Sequence, residues 1–225
     1  MKTIVFDTST IISLVTNNLL GLLKPLKEKY GIEFYIPKTV AYELVEKPLE
    51  SKMYKLEALM VKKIINDEDI KIYKEEIDVE ELLYKITNLF YANGKPIKIV
   101  SKAEVEALAL AVNLGANAYA VDERTMRLII ENTMRLKKIQ ENKLHMKIGI
   151  NKESLNTITR LTSGIKVIRS TEIALIAYEQ GLMEKYVVNT TKKEVVEALL
   201  WGLKLRGCSI SREEVEELVK EEIRK

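Results

Sequence analysis

Four carboxylates occupy positions from which they could do acid chemistry together: Asp7, Glu43, Glu104 and Asp122. Asp7 follows Thr3-Ile4-Val5-Phe6, an apolar run rich in β-branched residues, and precedes Thr8-Ser9-Thr10 and the helical pattern Ile11, Ile12, Leu14, Val15. Asp122 repeats that setting: the small and apolar stretch 116–121 runs into it and a helical pattern leaves it. Glu104 lies in the first turn of the helix opened by Ser101, and Glu43 near the start of the helix after Ile32–Ile36. Crowded carboxylates repel, and each holds its proton more tightly for it. A hard divalent cation, Mg2+ or Mn2+, removes that repulsion and prefers such oxygen ligands. A site of this kind activates water and stabilises the charge of an in-line phosphoryl displacement. Each acid also has a structural reading: Asp7 and Asp122 as N-caps, Glu104 as the capping-box partner of Ser101, Glu43 as an exposed helix residue.

Convergence requires elements that bring the four to one edge. The run 3–6, buried on both faces, reads as a central parallel strand. Ile32–Ile36 is a second strand, Ile70–Tyr73 a short edge strand, Ala116–Val121 another, and Ile165–Ile168 a last one. Helices are expected at 9–16, at 17–30 with a kink or a break at Pro25, after Pro37, and at 50–65 and 79–91. Others follow at 101–115, 123–136, 171–180 and 192–205, and beyond Ser211. Single apolar strands alternating with helices indicate an α/β protein with a doubly wound parallel sheet. In such sheets ligands bind at the carboxyl ends of the strands, where Asp7 and Asp122 stand.

Composition narrows the function classes. The chain has 225 residues, 47% hydrophobic and 31% charged, enough for a sizeable core in one large domain. A net charge of +3 and a pI near 8.7 are compatible with nucleic acid without pointing to it. Cys208 is the only cysteine, which excludes an internal disulfide and a cysteine zinc cluster. His145 is the only histidine and no G-x-S-x-G elbow is present, which argues against Ser-His-Asp chemistry. Neither a Walker A nor a G-x-G-x-x-G loop appears. Asp7 interrupts the first apolar run, and the charge-free stretches 8–23 and 107–121 are shorter than a bilayer span, so a cytoplasmic protein without membrane association is expected.

IVFDTSTII at 4–12, IPKTVAYEL at 36–44, AEVEALALA at 103–111 and AVDERTMR at 120–127 together resemble the PIN-domain family of metal-dependent nucleases. VIRSTEIALIAYEQGLM at 167–183 resembles the strand and helix that close that fold. The resemblance covers most of the chain in order. It implies a PIN-like doubly wound parallel β-sheet flanked by helices, with Mg2+ or Mn2+ as cofactor and cleavage of single-stranded or structured RNA. Carried over by position, Asp7, Glu43, Glu104 and Asp122 become the catalytic, metal-binding acids of a ribonuclease. Glu106 is a rival to Glu104 but faces elsewhere on the helix. Toxin members of such a family would add an antitoxin-like protein as partner, although the chain's length disfavours a minimal toxin.

Three segments depart from the family pattern. Residues 46–99 are longer than in compact members, 137–164 reads as an insertion before the last strand, and 192–225 as a helical C-terminal extension. The insertion is expected to leave the sheet beside the active edge and to contact RNA or a second subunit of a homodimer.

Secondary candidates are Ser9, set to touch a metal-bound water or a substrate phosphate or to act as a cap. Arg124 and Arg127 follow Asp122 at helical spacing, set to bind phosphate or to pair with surface acids. Lys137, Lys138, Lys143, His145 and Lys147 form a basic stretch suited to an RNA backbone or to solvent. Glu172 opens a helix as a cap or approaches the acidic edge. Two other function classes remain: a non-catalytic RNA- or protein-binding module on the same fold, and an aspartyl-phosphate phosphatase. The latter usually needs a second acid two residues after the first, where this chain has Ser9.

Overall fold

The computed structural model describes residues 2–224; Met1 and Lys225, the outer residues of the expected single domain, lie outside the described residues. The chain opens with β1 (Lys2–Phe6), α1 (Thr8–Thr16), a 3-10 turn at Leu20–Leu22, α2 (Leu23–Tyr30) and β2 (Ile32–Ile36). Pro25 falls in the first turn of α2, where its missing N–H costs nothing; of the kink or break expected there, the chain has the break, ahead of the helix. Gly31 ends α2 in the left-handed conformation, φ 61°, that favours glycine. There follow α3 (Lys38–Ala41), a π-helical turn Tyr42–Glu46, α4 (Lys47–Leu49), α5 (Lys55–Asn66) and β3 (Lys71–Ile72). Next are α6 (Glu80–Thr87), β4 (Phe90–Ala92), β5 (Lys95–Pro96), α7 (Lys102–Asn113) and β6 (Ala118–Ala120). Then come α8 (Arg124–Glu131), α9 (Thr133–Leu144), β7 (Gly149–Ile150), α10 (Lys152–Leu161) and β8 (Lys166–Ile168). The chain closes with α11 (Ser170–Glu179), α12 (Lys192–Leu205) and α13 (Arg212–Arg224).

The expected α/β architecture is present: a five-stranded parallel sheet in the order β3-β2-β1-β6-β8, flanked by helices. The central strand β1 buries Val5 and Phe6 completely, and Phe6 meets Phe34 of β2 edge-on, their ring centroids 5.3 Å apart. The chain leaves β1 toward β2 on one side and reaches β6 on the other, so the strand order reverses beside β1. In doubly wound sheets that reversal opens a crevice at the carboxyl ends. Asp7 stands at its mouth.

A second, antiparallel sheet in the order β5-β4-β7 joins two of the three segments that depart from the family pattern, 46–99 and 137–164. The helix expected over 79–91 stops at Thr87, because Phe90 and Tyr91 pair with Ile150 and Gly149 of β7. α10 packs on α6, and Lys85–Glu153 and Arg160–Glu81 ion pairs link the same two segments. Residues 137–164 therefore form the end of α9, β7 and α10. The helix expected over 123–136 is two helices: Asn132 leaves the helical conformation (φ −157°, ψ 75°) and its side chain caps Arg135 N at 2.9 Å.

Candidate active site

β1 and β6 end in register. The Asp7 N–H donates to the Ala120 carbonyl at 2.9 Å, which places Asp7 beside the 120–123 turn at the carboxyl edge. Asp7 is the N-cap of α1: its Oδ2 accepts from Ser9 N at 3.0 Å and Ser9 Oγ at 2.5 Å. The same hydroxyl accepts from the Asp122 and Glu123 N–H groups at 3.0 and 3.2 Å. Ser9 is thus a bridge that ties the two strand ends together, with its hydrogen-bonding capacity committed inside the protein.

The other acids arrive from helix starts. Glu43 lies in the π-helical turn, and its Oε2 accepts from Thr8 Oγ1 at 2.6 Å. Glu104 forms the capping box of α7, its Oε2 accepting from Ser101 N at 2.6 Å. Both raise the proton affinity of Asp7: burial first, then the Glu104 and Glu43 charges, outweigh the Ser9 hydrogen bonds and lift the Asp7 pKa to about 6. Sequence reasoning missed Glu123. Its Oε2 caps Met126 N at 2.8 Å, and its charge reaches the buried Tyr119 hydroxyl together with those of Asp7 and Glu104. The available signal was two adjacent acids after one strand, of which the first was chosen.

One feature unites Asp7, Glu43, Glu104 and Glu123. Each carboxylate commits one oxygen to a local donor, its second oxygen accepts nothing, and none forms an ion pair, among the described residues. Asp122 differs. It is fully buried, and both its oxygens are engaged. Oδ1 accepts from Ser170 N at 2.7 Å and Thr10 Oγ1 at 3.4 Å, and Oδ2 from Ser170 Oγ at 2.6 Å. Burial raises its pKa and the Ser170 donors oppose the rise, while burial and the Asp122 charge push the neighbouring Cys208 thiol up to about 12. Asp122 anchors the start of α11 from beneath. The structure brings Asp7, Glu43 and Glu104 into one electrostatic neighbourhood and turns the Asp122 carboxylate into the interior.

The remaining candidates are occupied elsewhere. Arg124 Nε donates to Ser209 Oγ at 3.0 Å, and Arg127 Nη2 to the Ser209 carbonyl at 3.2 Å, so both hold the loop between α12 and α13. Glu172 pairs with Arg169 at 2.6 Å; burial opposes this, but the guanidinium keeps its pKa low. Of the basic stretch, Lys137 lies 3.9 Å from Glu141, and His145 ends α9 in a left-handed conformation.

The donor set suits a hard divalent cation: unpaired carboxylate oxygens, and beneath them a completely buried Tyr119 hydroxyl without a hydrogen-bond partner among the described residues. Asp7, Glu104 and Glu123 hold helix caps and Glu43 accepts from Thr8, and among the described residues no group of three His, Cys, Asp or Glu is placed to hold a metal ion. Asp7, Glu43, Glu104 and Glu123 would hold the ion with their spare oxygens. A groove of about 630 Å³ opens beside Glu43 and Thr8, walled by Ile12, Lys47 and Tyr54. No helix among the described residues is long and apolar enough to cross a membrane.

No curated protein and no solved structure matches the chain. A family model described as a PIN domain matches residues 3–137, from β1 through α8 into α9. That span is more than half of the chain and includes Asp7, Glu43, Glu104, Asp122 and Glu123. The chain belongs to the PIN-domain family.

Proposed function

We propose that the protein is a Mg2+- or Mn2+-dependent ribonuclease whose reactive group is Asp7, Glu43, Glu104 and Glu123. The observation that carries this reading is the set of spare carboxylate oxygens without counter-charge at the sheet's switch point. A fold gains nothing from leaving a buried Asp7 ionised and unpaired; a bound cation gives the arrangement its purpose. When bound, the ion supplies Lewis acidity for phosphodiester hydrolysis.

The chain's own residues do the rest. Ser9 fixes Asp7 against the 120–123 turn, and Thr8 and Ser101 hold Glu43 and Glu104 at the rim through single hydrogen bonds. Asp122 supports the site from below by anchoring α11. The groove beside Glu43 offers apolar walls for a base and Lys47 for a phosphate. RNA is the substrate proposed, and an antitoxin-like protein or a second copy of the chain the partner to test for on the same face.

The test is cleavage of a mixed single-stranded RNA pool. Wild type with Mn2+ should cut, and chelator should abolish cutting. Asp7→Asn and Glu123→Gln should each lower the rate by orders of magnitude, on the order of 100-fold or more. Cutting that survives in chelator, or an Asp7→Asn protein as fast as wild type, would overturn the reading. RNA binding without cleavage under any divalent cation would establish the non-catalytic module instead.

A further inference from the structure

Tyr119 is completely buried, and its hydroxyl meets no hydrogen-bond partner among the described residues. A buried donor left unmade is costly, so an orphan of this kind calls for an explanation. Its place in the sheet supplies one. β6 pairs with β1 so that Tyr119 lies opposite Val5. Side chains alternate along a strand, so Tyr119, Val5 and Asp7 share one face. α7 covers that region, packing on both β1 and β6, and Glu104 opens α7. The charges that reach the hydroxyl most strongly are those of Asp7, Glu104 and Glu123; burial, and then these charges, keep the phenol protonated. It therefore has a hydrogen to donate. The carboxylates around it have spare oxygens, yet none lies within bonding distance. A water oxygen would satisfy the hydroxyl.

We propose that the Tyr119 hydroxyl, orphaned on the Asp7 face of β6 beneath Asp7, Glu104 and Glu123, is a positioning donor that hydrogen-bonds a water oxygen held among those carboxylates. This rests on the divalent-cation reading. A cation of this class keeps several of its waters. A water outside that shell, donating its hydrogens to the spare carboxylate oxygens, would keep lone pairs free to accept from a donor. Tyr119 is a neutral one, delivered from the dry side of the site. It takes no proton and forms no covalent bond; it fixes that water and so the carboxylates that share it.

Tyr119→Phe removes one oxygen and leaves the ring packing intact. The primary readout is Mn2+ affinity by titration calorimetry, on wild type, Tyr119→Phe and Asp7→Asn, with melting temperatures in chelator alongside. Groups that orient a metal's ligands from outside typically change affinity about 10- to 100-fold when removed. The expected result is a Mn2+ Kd raised at least about tenfold in Tyr119→Phe, with melting in chelator unchanged or higher because an unsatisfied donor has gone. A Tyr119→Phe protein that binds Mn2+ as tightly as wild type overturns the proposal and leaves the nuclease reading standing. Wild type that binds no Mn2+ overturns both. A Mg2+ titration of protein labelled at the tyrosine ζ carbon tests the same point without substitution: the Tyr119 signal should shift in wild type and stay fixed in Asp7→Asn, and a Tyr119 signal indifferent to Mg2+ in wild type overturns the proposal.

Discussion

Asp7 and Asp122 end neighbouring strands, each follows an apolar run and each precedes a helix, yet the fold treats them in opposite ways. Asp122 receives donors from Ser170 and Thr10 on both oxygens and lies wholly in the interior. Asp7 receives donors from Ser9 on one oxygen only and faces two further acids. The regions around them differ accordingly. Near Asp122 charge is balanced: Arg169 meets Glu172 at 2.6 Å and Glu214 at 3.1 Å, and Arg124 and Arg127 fasten the Ser209 loop. Around Asp7 none of the acids forms an ion pair among the described residues. A carboxylate at a strand end is therefore structural where the fold supplies its donors, and available for chemistry where the fold withholds them.

The sharpest way to break this comparison is Asp122→Ala. It would leave the Ser170 N–H and hydroxyl unsatisfied in the interior and open a cavity, at a cost of about 3 kcal/mol. Chemical denaturation should show that loss. A variant with wild-type stability and no cleavage would move Asp122 into the reactive group.

Asp7→Asn should do the opposite in metal-free protein. The folded Asp7 pKa of about 6 lies above the ordinary 3.8, so folding favours the protonated form. The stability this brings is fully present below pH 3.8 and is lost as pH rises through about 6. Asn keeps the capping acceptor and cannot ionise. In chelator at pH 8 the variant should be more stable by about 2 kcal/mol, and the advantage should vanish below pH ~4. Urea midpoints at several pH values measure it. An Asp7→Asn protein less stable than wild type at pH 8 would show Asp7 to be a compensated group like Asp122.

What could be read from the sequence follows the range of the interactions. The strand–acid–helix pattern gave Asp7 its place because β1, the helix start and the cap are contiguous. Glu104 was legible as the capping partner of Ser101, and it is that. That the Asp122 carboxylate turns inward could not be read locally. Asp122 is drawn inward by Ser170 and flanked by Cys208, residues 48 and 86 positions away that carry no signal near the acid itself. The five-stranded parallel sheet was legible from alternating apolar strands and helices. The second sheet was not, because β5 and β7 have two residues each and β4 three, too few to show a period. Helix propensity carried the reading through Phe90, where pairing with β7 decides otherwise.

The smallest expected effect lies in the balanced region and tests why it is balanced. Burial pushes the Glu214 pKa up, but the Ser211 N–H and the Arg169 guanidinium prevail and bring it down to about 2. The side chain is a third exposed, so solvent screens the pair. Glu214→Gln keeps an acceptor for Ser211 N and removes the charge facing Arg169. The depressed folded pKa means a contribution present above the ordinary 4.5, lost as pH falls through about 2. At pH 7 the variant should therefore be less stable by about 1 kcal/mol, after discounting for screening. The gap should narrow steadily between pH 4.5 and pH 2. This direction is the reverse of Asp7→Asn, whose gain over wild type grows with pH. Two carboxylates with opposite pH slopes, one facing other acids and one facing Arg169, would establish that compensation is what separates the two regions. Parallel slopes would show that burial alone governs both.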